Sequence, residues 1–486
     1  MVAPRGKCGQ VDRATLTGRR IPEVIIRFAL RPDPRCGETW HGQPARAGWE
    51  SSRACSLAEM ISGGTPPRLL FRILPAHDRA PRITERFSKN LGALPSWCRM
   101  RAFPVFLTLA LAASLGAAQP NSTMPNLQRL GKSELSGLAQ SVRVSDAPLI
   151  FTEQIAVLEP SGDARSQAEG ALDALGRTLA TAGGDLSQVV RLNAYVADDA
   201  AITGVMAAVT ARFAAAPPAF SWIRTPLAAP GARVAFEAVA VSSRAPLSVE
   251  VVAPAAAVLP AGGKIFISGQ AEKGPDLATA IKLTMAGLHR SVAHLGLKKS
   301  DIVHVKAFIK PFGDHAVAAR EVAASFDGAL VPPVVLMEWV SDLYTEIEIV
   351  VSARSLPTPA PEPITYGWFP WLVKSPRYCH IGFVTAGTPL IFIGAIDGGE
   401  AGDARAQMKV IFERLGSVLF EAGSSYRNLA KATYYLADPQ TRALLGDIRG
   451  VYFDPTRPPA ASALGVNGLG RAGRAAMVDI VAVPVK

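Results

Sequence analysis

Three acidic residues stand inside apolar strand-like runs: Glu237 in VAFEAVAV, Glu348 in TEIEIVVSA and Asp479 in MVDIVAVP. A carboxylate held among Val, Ile and Ala is desolvated, and desolvation moves it toward a pKa at which it can take and return a proton near neutral pH. The same group closed off by a backbone amide or a neighbouring arginine does no chemistry, and the sequence leaves both readings open. Other chemistry-bearing residues give less. His289, His294, His304, His315 and His380 lack partner acids or cysteines at metal-ligand spacing, and no metal or cofactor is expected. Gly262-Gly263-Lys264 has neither the length nor the following hydroxyl of a phosphate loop and reads as a hairpin turn. Gly465, Gly468, Gly470 and Gly473 precede a strand instead of following one, opposite to a dinucleotide fingerprint. Cys379 has no His or acid motif around it.

The elements that must position these residues recur three times. Pro-Pro pairs at 217–218, 332–333 and 458–459 lie 115 and 126 residues apart, the size of a small α/β domain. Apolar strands open each copy as LIFTEQIA from Leu149, KIFISGQAE from Lys264 and LIFIGAID from Leu390. About thirty residues on, Gly183, Gly296 and Gly423 take the place of a helix-stopping C′ residue. Alternation in RLNAYVAD and HVKAFIKP marks strands with one face on helices and the other free for a partner. Each unit therefore reads as an α/β sandwich with helices on one sheet face.

Residues 1–99 carry 17 Lys or Arg against 8 Asp or Glu, most of the chain's net charge of +11, and four of its five cysteines. They show no periodic apolar pattern and read as a spurious or disordered leader, so the basic pI carries no expectation of nucleic-acid binding. Met100-Arg101 followed by AFPVFLTLALAASLGAAQP has the layout of a secretory signal peptide with cleavage near Ala118. The expected mature protein is periplasmic or extracellular, begins near Gln119, has no membrane span after cleavage, and has Cys379 as its one cysteine.

The order of a Ser268-Gly269-Gln270 turn, helices opening near Gln167 and Gln407, the Gly stops, Pro-Pro-Ala and acidic closing strands resembles the RidA/YjgF family of imine and enamine deaminases, also called L-PSP endoribonucleases. The resemblance covers roughly 139–486. It implies three tandem chorismate mutase-like domains, at 139–245, 246–354 and 371–486, with 355–370 as a Pro-rich linker, packed as a pseudo-trimer within one monomeric chain. It further implies small-molecule clefts between units. The family's carboxylate-binding arginine follows Pro-Ala, where this chain has Phe220, Val335 and Ala461. The family's Ser position is matched to Thr152, Ser268 and Gly394, and its water-orienting carboxylate to Glu237, Glu348 and Asp479. Arg224 shares a strand face with Phe220 and is a candidate replacement cation. The expected activity is imine or enamine hydrolysis with little action on 2-iminoacids, restored by Phe220→Arg; the alternative is a non-catalytic small-molecule-binding pseudo-trimer.

Overall fold

The computed structural model describes residues 126–485 apart from 158, 253–254, 358–361, 401 and 438; the leader and the signal-peptide stretch lie outside the described residues. Unit one comprises β1 (Leu127–Lys132), β2 (Ala139–Val144), β3 (Leu149–Thr152), β4 (Ile155–Ala156), α1 (Ala164–Thr181), β5 (Val189–Val196), α2 (Ala201–Arg212), β6 (Ala219–Arg224) and β7 (Val234–Val241). Unit two repeats the plan with β8 (Glu250–Val252), β9 (Ala256–Leu259), β10 (Lys264–Gln270), α3 (Leu277–His294), β11 (Ile302–Ile309), α4 (His315–Ala324), β12 (Val334–Glu338) and β13 (Thr345–Ser352). Unit three has β14 (Ile364–Gly367), β15 (Ile381–Val384), β16 (Leu390–Asp397), α5 (Ala404–Glu421), β17 (Leu429–Leu436), α6 (Pro439–Tyr452), β18 (Ala460–Gly465) and β19 (Ala476–Ala482). Two boundaries differ from the sequence expectation. Strand β1 precedes residue 139, and β14 falls inside the stretch read as linker, because both belong to opening hairpins whose partners lie in another unit.

The long helices are cut to the same length by the same local chemistry. Asp163, Asp276 and Asp403 each turn a carboxylate onto the first-turn backbone N–H, at 2.8, 2.7 and 2.9 Å. Each helix stops 18 residues later, and the chain leaves through Gly183, Gly296 or Gly423 at φ of 81°, 76° and 71°, a left-handed conformation that glycine adopts without steric cost. Gln167 and Gln407 then accept the backbone N–H of Arg233 and Ala475, tying α1 and α5 to the loops that lead into β7 and β19.

Within a unit the sheet runs β3-β7-β5-β6, and likewise β10-β13-β11-β12 and β16-β19-β17-β18. The last two strands of each set are parallel, joined through the second helix. Each sheet is completed by a neighbour: β8 and β9 extend unit one along β3, β14 and β15 extend unit two along β10, and β1 and β2 extend unit three along β16. The exchange closes in a circle. The free sheet faces therefore meet in a core shared by all three units, where Phe151, Phe266 and Phe392 occupy the same register position beside Val239, Val350 and Val481. At one end, Asp146 accepts the N–H of Gly262 at 3.0 Å and of Gly387 at 2.6 Å and pairs with Lys264 at 2.5 Å, linking the equivalent turns of all three units. The fold is an intrachain pseudo-trimer of α/β sandwiches.

Candidate functional site

Glu237, Glu348 and Asp479 sit on the inner sheet faces, where each is met by the following unit. Glu237 is held by Lys306 of unit two at 2.7 Å, with the Tyr195 hydroxyl and Asn193 donating from its own unit and Arg191 3.6 Å away. Glu348 is held by Lys431 of unit three at 2.6 Å and by the Ser462 hydroxyl. Asp479 accepts from the Ser221 hydroxyl of unit one and from Tyr435 at 3.3 Å. Burial pushes all three upward in pKa. At Glu237 the Lys306, His304 and Arg191 charges outweigh it and hold the group well below the usual carboxylate range. At Glu348 the Lys431 and Lys306 charges also outweigh burial and lower the pKa, whereas Asp479, whose direct partners are hydroxyls, stays raised. His304 is pushed down to about 4 by burial, with Lys306 and Arg191 adding to the effect, and its Nε2 faces the Thr152 carbonyl at 3.3 Å. The cavity beside this layer is about 30 Å³, room for one water and no substrate. These carboxylates tie the units together.

Strand register corrects two of the sequence matches by one residue. Phe151 pairs with Val239 as Phe266 pairs with Val350, so Thr152 corresponds to Ile267, and Glu153 is the counterpart of Ser268 and Gly394. Thr152 is closed off: it accepts the Ala238 N–H at 2.9 Å and donates to the Glu153 carbonyl at 2.9 Å. Ser221, Val335 and Ser462 are equivalent on β6, β12 and β18, since they face Asn193, Lys306 and Thr433. Val335 therefore points toward the other units, while Phe220 and Ala461 point into the helix-side cores of their own. Phe220 packs on Trp222 with ring centroids 5.7 Å apart, so it lines no cleft. Arg224 pairs with Asp199 at 3.2 Å and its aliphatic stem covers Gly468, which accounts for it as a surface ion pair.

A cavity of about 910 Å³ opens between units two and three. Its floor is the end of β10, Gly269 to Glu272, with Glu346 of β13 lying across it. One wall is the β12–β13 turn with Trp339 and Asp342; the opposite wall is unit three, with Arg442 of α6 and Asn467. The remaining side is the 368–380 segment between β14 and β15, whose Tyr378 and His380 line the space. Phe369 of this segment is buried in unit two's core, and its Trp371 takes Arg290 over its ring at 4.0 Å. His380 accepts the Phe369 N–H at 3.1 Å and faces the Val373 carbonyl at 3.2 Å, which fixes it as a neutral Nε2–H tautomer. Ser268, behind the floor, donates to the Cys379 carbonyl at 2.5 Å and accepts the Ala461 N–H at 2.7 Å, stitching the two units together.

Glu346 is the group in this cavity suited to proton transfer. Burial pushes its carboxyl up to about 7; the Arg442 charge pulls against that and the Glu348 charge adds to it. Its place depends on Gly269, where a Cβ would lie 2.1 Å from Oε1 of the carboxylate. Sequence reasoning passed over Glu346, although it stands two residues before Glu348 and shares its strand face. The register equivalents are Ala235 and Met477, so the acid belongs to unit two alone. Between units three and one the equivalent space is narrower, about 220 Å³ over Ala395 to Asp397 beside the β1–β2 turn; there Trp222 donates its indole N–H to the Leu469 carbonyl at 3.0 Å.

The family model described as endoribonuclease L-PSP matches residues 141–242 and 383–485, which are units one and three. A RutC family protein of Synechocystis sp. is 38% identical over 65 residues, 13% of this chain and 50% of that protein, so the chain spans about half the length of this curated relative. Among solved structures, a YjgF family protein from Neisseria meningitidis is 22% identical over 25% of this chain and 96% of its own, with a TM-score of 0.20. The Rid family protein YyfB from Yersinia pestis is 18% identical over 25% of this chain and 99% of its own, with a TM-score of 0.24. These matches make units one and three similar to the endoribonuclease L-PSP family, the RidA/YjgF group that the sequence resembles.

Proposed function

We propose that the chain hydrolyses small imines or enamines in the cleft between units two and three, with Glu346 as the group that moves the proton. The observation that carries this reading is the Glu346 carboxyl itself, buried over Gly269 in a substrate-sized cavity and pushed up to about 7. As carboxylate it takes a proton from water as the oxygen adds to the imine carbon; as acid it returns that proton to the departing nitrogen. A group near 7 has both forms populated at neutral pH. The family's arginine position offers no clamp for a substrate carboxylate, since Ala461 faces unit three's core, so 2-iminoacids are poor substrates. The protein works in an exported compartment, a reading supported by the signal-peptide layout from Met100.

Imines generated in situ by an amine oxidase, with release of the carbonyl followed in competition with semicarbazide, test the activity. Glu346→Gln should lower the enzyme-dependent rate by about a hundredfold, the lower end of what a positioned proton carrier contributes. An unchanged rate would defeat the reading and leave a non-catalytic small-molecule-binding pseudo-trimer.

A further inference from the structure

We infer that this cleft selects organic cations, an iminium or ammonium group on an aromatic or apolar body, over anions of the same shape. The hydrolytic step rests on the proposed function; the charge preference stands on the lining. Four carboxyl groups reach the cavity from three directions: Glu272 beyond β10, Glu338 and Asp342 at the end of β12 and its turn, and Glu346 on β13. Two cations answer them. Lys310 donates to the Ser341 carbonyl at 2.7 Å, and Arg442 comes from α6 of unit three. His380 adds no charge, since burial lowers its pKa and its ring nitrogens are engaged by Phe369 and Val373. Glu338 accepts from Asn467. The lining thus carries a surplus of negative charge whichever form Glu346 takes, and an entering carboxylate meets like charge in a partly desolvated space.

The apolar part of the lining fits the same ligand. Tyr378, part-exposed, lines the space from unit three, and an aromatic ring attracts a cation through its quadrupole; Trp339 of unit two is buried beneath the opposite wall. A substrate of this class is the iminium formed when an amine lacking an α-carboxylate is oxidised. Its hydrolysis balances as one iminium ion plus one water giving one carbonyl compound plus one ammonium ion. The water oxygen bonds to carbon and gives one proton through Glu346 to nitrogen; the carbon–nitrogen bond then breaks with its electron pair leaving on nitrogen, and the hydroxyl's remaining proton passes by the same carboxyl to the ammonia, giving ammonium. An amine-oxidising reaction must supply such a substrate, and a carbonyl-consuming one takes the product.

Titration calorimetry of the full chain with benzylammonium and with benzoate, two probes of matched shape and opposite charge, tests the preference. Benzylammonium should bind at least about tenfold more tightly than benzoate, with the difference shrinking as salt is raised. The double variant Glu272→Gln/Asp342→Asn, both at exposed rim positions, should weaken benzylammonium by about three- to tenfold. Benzoate binding as tightly as benzylammonium, a silent double variant, or no binding of either probe at about 10 mM (a Kd weaker than the millimolar range) would overturn the inference. The two proposals fail separately. Faster hydrolysis of 2-iminoacids than of amine-derived iminium ions removes the charge preference and keeps the hydrolase; selective benzylammonium binding with a silent Glu346→Gln keeps the preference and removes the hydrolase.

Discussion

Replacing Lys306 by Met removes the cation that unit two presents to Glu237 of unit one, 2.7 Å away in a layer where Glu237 is 1% exposed. At an effective dielectric of about 20 the gross attraction at that distance is about 6 kcal/mol, most of it offset by the desolvation of both ions. The variant keeps the acid's desolvation and loses the cation, a situation that costs about 3–5 kcal/mol in buried pairs. Arg191 at 3.6 Å and the Tyr195 and Asn193 donors remain, which places the expectation at the lower end, about 3 kcal/mol. Removing the acid as well, in Lys306→Met/Glu237→Gln, should recover at least half of the loss, because no uncompensated charge stays buried. Acidification supplies a second check. In the wild type the folded pKa of Glu237 is depressed, so its contribution persists above the ordinary carboxylate range and is lost only as pH falls through the lower folded value. In the single variant the acid is buried without its main cation, its folded pKa rises, and protonation relieves it. The gap between wild type and Lys306→Met should therefore narrow as pH falls from 7 toward 4.5, the ordinary value of the group. Urea unfolding at several pH values measures all of this. A penalty below about 1 kcal/mol, the scale of exposed pairs, a gap that widens on acidification, or a double variant no better than the single one would refute the cyclic charge layer as a structural device.

The folded pKa of Glu346, about 7, lies above its ordinary 4.5, so its protonated form stabilises the protein and that contribution is lost as pH rises through 7, an effect of up to about 3 kcal/mol. His304, lowered from 6.5 to about 4, loses stability in the opposite direction, as pH falls through an overlapping window; the difference between wild type and Glu346→Gln isolates the carboxyl, and the variant should be the more stable of the two above pH 7 in urea titrations. Gly269→Ala puts a Cβ 2.1 Å from Oε1 of Glu346; kcat for imine hydrolysis should fall by about tenfold or more with little change in unfolding midpoint. Phe220→Arg should not restore 2-iminoacid hydrolysis, because it buries a guanidinium in unit one's core, and it should cost at least about 3 kcal/mol in urea unfolding. Light scattering of the folded protein should give the mass of one chain, since every unit already receives its hairpin, and its closing acid a partner from the next unit, from within the chain.

The repeat was legible because its signals are local. Gly183, Gly296 and Gly423 stop equivalent helices, and the Phe-centred strands and Pro-Pro pairs bracket each unit. The exchange of hairpins was not legible, since β9 extends β3 and β15 extends β10 through backbone bonds that any strand sequence can make. The same lack of tertiary information produced the one-residue errors. Pro-Pro aligns Phe220 with Val335, whereas strand pairing aligns Ser221 with Val335, and between strands one residue is the difference between two faces. The three closing acids looked catalytic because their surroundings are apolar in sequence; what satisfies them is Lys306, Lys431 and Ser221, each from a different unit.

Covalent linkage explains why one cleft could be kept wide and another narrowed. In a homotrimer a substitution appears in every interface at once, so a cleft cannot be filled without losing all three. In this chain the position that carries Glu346 in unit two is Ala235 in unit one and Met477 in unit three, and each can change alone. Trp222, buried and tied to Leu469 across units three and one, narrows that interface, where a cavity of about 220 Å³ remains. Narrowing a cleft in this way buries aromatic surface and strengthens the assembly. The cleft between units two and three is organised in the opposite sense. It retains an open cavity of about 910 Å³, a carboxyl pushed to about 7, and a side wall, 368–380, that the corresponding hairpins of the other two units make far shorter. Packing at the narrowed interface and the ion pairs and hydroxyl contacts between units at the axis hold the frame in which that carboxyl can remain buried and still exchange a proton.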